Sequence, residues 1–101
     1  MDSYEISLWE DYYDEQDNYY SERKICIIGS DDMSSQARAL EPKLVENIIG
    51  TNTFTFKIYN KYKDNISGKT IENPYKKLLI NERKVKVKWK GKWYDLIIKK
   101  I

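Results

Sequence analysis

The chain has 101 residues, 41% of them hydrophobic, 34% charged and 14% aromatic, with a net charge of +2. That length argues for a single domain spanning residues 1–101, and three Trp and nine Tyr exclude a disordered chain, which could not carry so much buryable aromatic surface. No stretch approaches the roughly 20 apolar residues of a membrane helix, and Met1-Asp2-Ser3-Tyr4-Glu5 lacks the basic start and apolar run of a signal peptide. No membrane partner is therefore expected, and synthesis in a reducing cytoplasm is. The lone Cys26, inside Ile25-Cys26-Ile27-Ile28, reads as a packing residue. Asn65-Ile66-Ser67 matches a glycosylation sequon by accident, since no secretion is expected.

The small net charge hides a polarity. Residues 1–50 hold twelve acids against four bases, a balance of −8, and residues 51–101 hold four acids against fourteen bases, a balance of +10. Such opposed halves can neutralise each other within one fold or between subunits.

In chain order, Tyr4 to Trp9 alternates apolar and polar, the period of a half-buried strand. Glu10 to Glu22, dense in Asp, Glu and Tyr without a period, predicts a long exposed loop. Arg23 to Gly29 predicts a second strand, apolar on both faces and hence central. Ser30 to Arg38 predicts a loop or a single helical turn. Leu44–Ile49 and Thr53–Tyr59 predict strands joined at Gly50-Thr51-Asn52, with Phe54, Phe56 and Ile58 sharing one face. Asn60 to Glu72 reads as a polar connection broken at Ser67-Gly68.

Asn73-Pro74 has the form of a helix start, and Tyr75, Leu78 and Leu79 recur at helical spacing, so a short helix is predicted near Pro74–Ile80. Lys84 to Trp89 alternates strictly, Lys90-Gly91 predicts a two-residue turn, and Lys92 to Ile101 returns. That register sets Val87 opposite Tyr94, Val85 opposite Leu96, and Lys86 opposite Asp95, where the charges can neutralise. The expected fold is mainly β: about six antiparallel strands closing toward a small barrel or sandwich, with one short helix.

Catalysis finds little material. Histidine, the commonest general base and metal ligand, is absent, and one cysteine without it is a poor nucleophile. Asp31-Asp32 could pair as carboxylates, but beside Gly29-Ser30 they fit a turn. Asp11, Asp14, Glu15 and Asp17 could hold calcium only without the glycine and terminal glutamate of an EF-hand loop, so a solvated acidic segment is expected. No catalytic residue, metal or cofactor is expected.

Binding offers more. Lys84, Lys86, Lys88 and Lys90 line one face of the last hairpin, and Trp89 and Trp93 supply aromatic surface. A small basic-faced β-barrel using the Lys84–Lys92 hairpin could hold nucleic acid by phosphate contact and base stacking. Against it, lysines on alternate positions also protect any edge strand, Trp89 lies on the opposite face with Val85 and Val87, and the acids of the first half repel a polyanion. Tyr12, Tyr13, Tyr19 and Tyr20 could alternatively stack a sugar. The residues singled out as a candidate interaction surface are Asp11, Asp14, Glu15, Asp17, Lys84, Lys86 and Lys88.

Ile28-Gly29-Ser30-Asp31 with Met33 and Arg38-Ala39, then Asn47, Gly50 and Thr53-Phe54-Thr55-Phe56, form the first half of an ordered set. Tyr59-Asn60-Lys61-Tyr62, Asn73-Pro74, Leu79 to Lys86, Gly91 to Asp95 and Ile98-Lys99 complete it. The set resembles the N-terminal hub domain of minor tail proteins from long-tailed phages and prophages of Gram-positive hosts, the tail-associated lysins or tail endopeptidases. The resemblance implies a structural part of the virion tail tip, or baseplate: a trimeric hub docked beneath the distal tail protein ring and against other tail-tip proteins. The family's peptidoglycan-degrading activity lies further along such chains and does not carry over to this segment. The end at Ile101, straight after a strand, is expected to reflect an isolated domain, a truncated gene or a split hub protein. The charge polarity leads us to expect docking in which the Glu10 to Glu22 segment of one subunit meets a basic surface on the next.

Overall fold

The computed structural model describes residues 3–14, 16, 19–46 and 52–99. Its strands, in chain order, are β1 (Tyr4–Asp14), β2 (Tyr19–Ser30), β3 (Leu40–Val45), β4 (Thr53–Lys57), β5 (Lys61–Lys63), β6 (Thr70–Glu72), β7 (Lys84–Trp89) and β8 (Lys92–Ile97). A single 3-10 turn, Lys76–Leu78, precedes β7. The fold is mainly β and antiparallel. One four-stranded sheet runs in the order β2-β1-β7-β8, and β3-β4 and β5-β6 form two-stranded ribbons. Because β2 and β8 are not hydrogen-bonded to each other, the sheet stays open and the barrel alternative falls away.

The alternation in β1 decides the core. Ile6 and Leu8 turn inward and lie opposite Val87 and Val85 of β7, and all four are buried together with Ile28 and Ala39. Phe54, Phe56 and Ile58 lay the predicted face of the β4 segment on this cluster. Phe54 meets Trp89 edge-on at 5.7 Å, which places Trp89 inward, away from the lysines of its strand. The ribbon β3-β4 thus forms a second layer against the inner face of the sheet.

One expectation about β2 is corrected. It is an edge strand, and β1 is central. In the β1–β2 register Ser7 pairs with Ile27 and Ile6 with Gly29, so Ile28 is an extra residue; Leu8 pairs with Cys26 and Trp9 with Lys24, so Ile25 is another. Each extra residue makes a β-bulge that shifts the phase of the strand. Consecutive apolar residues then reach the core from an edge, which is what the unbroken run Ile25 to Ile28 encodes. The exposed side of β2 is covered at Ile28, whose carbonyl accepts the Ala39 amide at 2.8 Å. Gly29 permits that approach, since a Cβ there would stand 3.0 Å from Ala39 Cβ.

The expected loop from Glu10 to Glu22 is largely strand. β1 and β2 continue as a two-stranded ribbon beyond the end of β7, with Tyr13 opposite Tyr20 and Asp14 opposite Tyr19. Cross-strand attraction replaces the missing hydrophobic period. Arg23 pairs with Glu10 and sets its guanidinium 5.0 Å from the centre of the Tyr12 ring.

The segment predicted as Leu44–Ile49 begins earlier, at Leu40, and its expected end and the Gly50-Thr51 turn lie outside the described residues. A register shift between Leu40 and Lys43, with Glu41 at φ 51°, lets Pro42 sit in the strand where no amide is required. Asn60 to Glu72 is not a plain connection. It forms the β5-β6 hairpin, whose turn is closed by Asp64 Oδ2 accepting the Ser67 amide at 2.9 Å and by Gly68 at φ 71°. That donated bond holds the Asp64 carboxyl below its ordinary pKa.

The predicted helix contracts to the one 3-10 turn. Its N-cap falls on Tyr75, not Asn73, whose Oδ1 accepts the Tyr75 amide at 2.8 Å from two residues earlier, while Tyr75, Leu78 and Leu79 pack on the core as expected. A longer helix is prevented because Leu79 leaves helical geometry and Glu82 turns the chain at φ 70°. The last hairpin follows the expected register throughout, around Lys90 at φ 51° and Gly91 at φ 82°. Two successive positive φ values give the reversed turn that suits the twist of paired strands.

Asn73 is 2% exposed and also donates Nδ2 to the Ala37 carbonyl at 3.0 Å, tying the turn to the strap that covers β2. Removing it strands the buried Ala37 carbonyl and the half-buried Tyr75 amide. Asn73→Ala is expected to lower stability by about 1–3 kcal/mol, read as a lower midpoint in urea with an unchanged slope.

Candidate functional site

Inward Ile6 and Leu8 force Ser7 and Trp9 of β1 to the outer face of the sheet. There Trp9 Nε1 donates to Ser7 Oγ at 2.9 Å, and Ser7 Oγ donates to the Lys86 carbonyl at 3.2 Å. Ser7 is fully buried beneath this arrangement. Lys86 Nζ stands 4.2 Å from the Trp9 ring centre, and Lys24 Nζ approaches the same ring at 5.7 Å. The indole therefore serves as a platform for ammonium groups from the two neighbouring strands. Sequence reasoning passed over Trp9 and Lys24. The available signal was Trp9 itself, an aromatic residue in the polar phase of its strand.

Next to this platform Asp11 and Glu22 face each other across the β1–β2 ladder, a pairing that repels by itself. Lys84 relieves it, contacting Asp11 Oδ1 and, at 3.4 Å, Glu22 Oε1. Lys86 reaches the other Glu22 oxygen at 3.4 Å. Glu10 is held similarly, between Arg23 and, at 3.9 Å, Arg83.

The structure thus brings together Asp11, Lys84 and Lys86 of the anticipated surface and sets the others apart. Lys88 lies further along β7, opposite Glu5 and 5.9 Å from the Trp93 ring centre. Asp14 is at the far end of β1, and Glu15 and Asp17 lie outside the described residues. Although the register sets Lys86 opposite Asp95 as expected, its ammonium turns to Glu22 and Trp9 instead. The opposed charge of the two halves is in this part met inside one chain. The face is mixed in sign.

Asp31 and Asp32 occupy a turn. Asp31 Oδ1 accepts the Tyr4 amide at 3.4 Å, and Asp32 accepts the Ser30 hydroxyl. Among the described residues, no group of three or more His, Cys, Asp or Glu side chains is arranged to hold a metal. Two depressions, one along Glu41–Lys43 and Thr55–Lys57 and one along Glu72–Lys77, are open to solvent. Burial raises the pKa of the Cys26 thiol, offset in part by the Arg83 guanidinium, and burial likewise raises that of the Tyr75 hydroxyl. Comparison with protein-family models, with curated proteins and with solved structures finds no match to this chain.

Two outcomes follow from this geometry. Lys84→Met leaves Asp11 and Glu22 opposed. It is expected to cost roughly 0.5–1 kcal/mol for side chains this exposed, more at low salt and less in a Glu22→Gln background. Chemical denaturation of the four proteins at two salt concentrations measures it. For Cys26, a folded pKa above its ordinary 9.0 means that its contribution to stability is complete below that pH and is lost as pH rises past it. Maleimide labelling at pH 8 should accordingly run several-fold faster in denaturant than in native buffer.

Proposed function

We propose that this chain is a structural docking domain of a phage tail tip, a hub module that carries no catalysis of its own and binds the distal tail protein and neighbouring tail-tip proteins in the virion. One observation carries the reading beyond the resemblance itself. Several residues of that resemblance, Ile28, Gly29, Ala39 and Asn73, join in one packed seam. Ile28 bonds Ala39, Gly29 lies flat against Ala39, and Asn73 reaches Ala37 two residues before it. Side chains spent on joining edge strand, strap and turn are what a rigid docking module needs, because a module held in one shape loses little entropy on assembly.

The rival reading, nucleic-acid binding through the Lys84–Lys92 hairpin, is weakened by the acids that occupy Lys84 and Lys86. Two assays separate the readings. On the tail-tip reading a gene for a distal tail protein lies beside this one, and the chain co-expressed with its product should co-elute with it. Fluorescent DNA and RNA should bind the purified chain only weakly and without sequence preference. Separate elution from the distal tail protein would overturn the tail-tip reading. Micromolar nucleic-acid affinity with a steep salt slope, lost on replacing Lys84, Lys86 and Lys88, would establish the rival.

A further inference from the structure

The turn between β5 and β6 breaks the usual chemistry of a chain reversal at one position. Reversals favour Gly, Pro, Asn, Asp and Ser, which tolerate the backbone or bond to it, and Asp64, Asn65, Ser67 and Gly68 follow that rule. Ile66, in their midst, does not. It is 96% exposed, whereas the other exposed large hydrophobic side chains among the described residues lie between 38% and 58%. The turn that displays it is nevertheless firmly held. The Gly68 amide donates to the Asp64 carbonyl at 2.8 Å, the Asp64 amide to the Lys69 carbonyl at 2.8 Å, and the Ser67 amide to Asp64 Oδ2 at 2.9 Å. Gln36, beside the strap residue Ala37, grips the same turn from outside with both ends of its amide. Its Oε1 accepts the Asn65 amide at 3.0 Å, and its Nε2 donates to the Lys63 carbonyl at 2.8 Å. A braced turn with an apolar side chain at its tip departs from local preference where function is to be sought.

Charge describes what such a tip would meet. Lys63 and Lys69 flank the turn, both exposed and without an ion pair among the described residues. Lys61 stands opposite Glu72, whose carboxylate is taken by Lys76, and the Asp64 carboxylate is engaged by the Ser67 amide. We propose that Ile66 is the docking anchor of this domain, inserted into an apolar pocket on a partner protein whose rim carries carboxylates for Lys63 and Lys69. A central apolar residue inside a polar rim is the arrangement that concentrates binding energy at protein contacts. The bracing has its use there, because a turn already fixed loses little entropy when a pocket closes on it. A bilayer, the other anionic acceptor for a cationic tip, gains nothing from a fixed geometry, and one isoleucine offers far less apolar surface than even a single acyl anchor. The partner's identity, the distal tail protein, rests on the tail-tip reading, whereas the anchor is read from this chain alone.

Isothermal titration of the purified chain into the distal tail protein is the test. Ile66→Asp should weaken binding by about thirtyfold or more, while Ile66→Leu should stay within about tenfold of the unaltered chain. Gln36→Ala keeps Ile66 but releases the Asn65 amide and the Lys63 carbonyl to water, and should weaken binding several-fold by loosening the turn. Lys63→Glu should weaken it more at low salt than at high salt. All four substitutions lie on the surface, and an unchanged urea midpoint verifies the fold. Absence of binding by the unaltered chain would remove the tail-tip reading and, with it, the partner named here. Binding that tolerates Ile66→Asp would overturn the anchor while leaving the tail-tip reading intact. Flotation of the chain with phosphatidylglycerol vesicles, lost on Ile66→Asp, would overturn the protein pocket in favour of a lipid surface.

Discussion

The pairing of β1 with β7 joins the beginning of the chain to its penultimate strand, and nearly everything else hangs from it. Six consecutive residue pairs, from Tyr4 with Trp89 to Trp9 with Lys84, hold the two strands in one register. A slip by one residue would turn Ile6, Leu8, Val85 and Val87 to solvent and bring Ser7, Lys84 and Lys86 into the core. β2 is then bound only to the free side of β1, and β8 only to the free side of β7. The β3-β4 layer finds an apolar floor only because those four residues lie side by side. The contact closes a loop of most of the chain, so it forms against a large entropy and is stable only as a cooperative whole.

The outer face shows how the same register handles charge. Lysines at alternate positions of β7 arrive beside acids that the β1–β2 hairpin sets in opposition. Lys84 and Lys86 relieve a repulsion that the hairpin alone would suffer, and the Trp9 ring accepts the Lys86 ammonium on its face. Each of these exposed contacts is individually small. Their collective effect is to let the ribbon continue past the end of β7, where no hydrophobic layer supports it. The arrangement also leaves Asp95 without the lysine opposite it, so the electrostatics of one edge are set by choices made on the other side of the sheet.

The contrast between the two edges bears on any assembly role. Along β2 the chain covers its own backbone at Ile28, using Gly29 and Ala39 for closeness and Asn73 to anchor the strap. Along β8, among the described residues, nothing bonds the backbone of alternate residues beside Trp93 and Ile97.

What the sequence determined by itself is what neighbours along the chain decide. The last hairpin was legible to the residue, because strict alternation and Lys90-Gly91 leave one register in which Val85 and Val87 share a face. The inward face of Phe54, Phe56 and Ile58 was legible for the same reason. The antiparallel β class followed from the sum of such local periods. What only the tertiary structure decided involves residues far apart. Ile25 and Ile28 read as a central strand because the bulges that bring them inward exist only against β1. The acidic, tyrosine-rich ribbon read as a loop because its cohesion comes from Arg23 across the hairpin and from Lys84 more than sixty residues away. β5 and β6 are each three residues, too short to show a period, and the helix at Pro74 lost its length to a turn at Glu82. Of the anticipated surface, the types of residue were visible in sequence. Which carboxylate each lysine would meet was not, because that depends on strand order, and strand order is settled by burying Ile6 and Leu8 against Val87 and Val85.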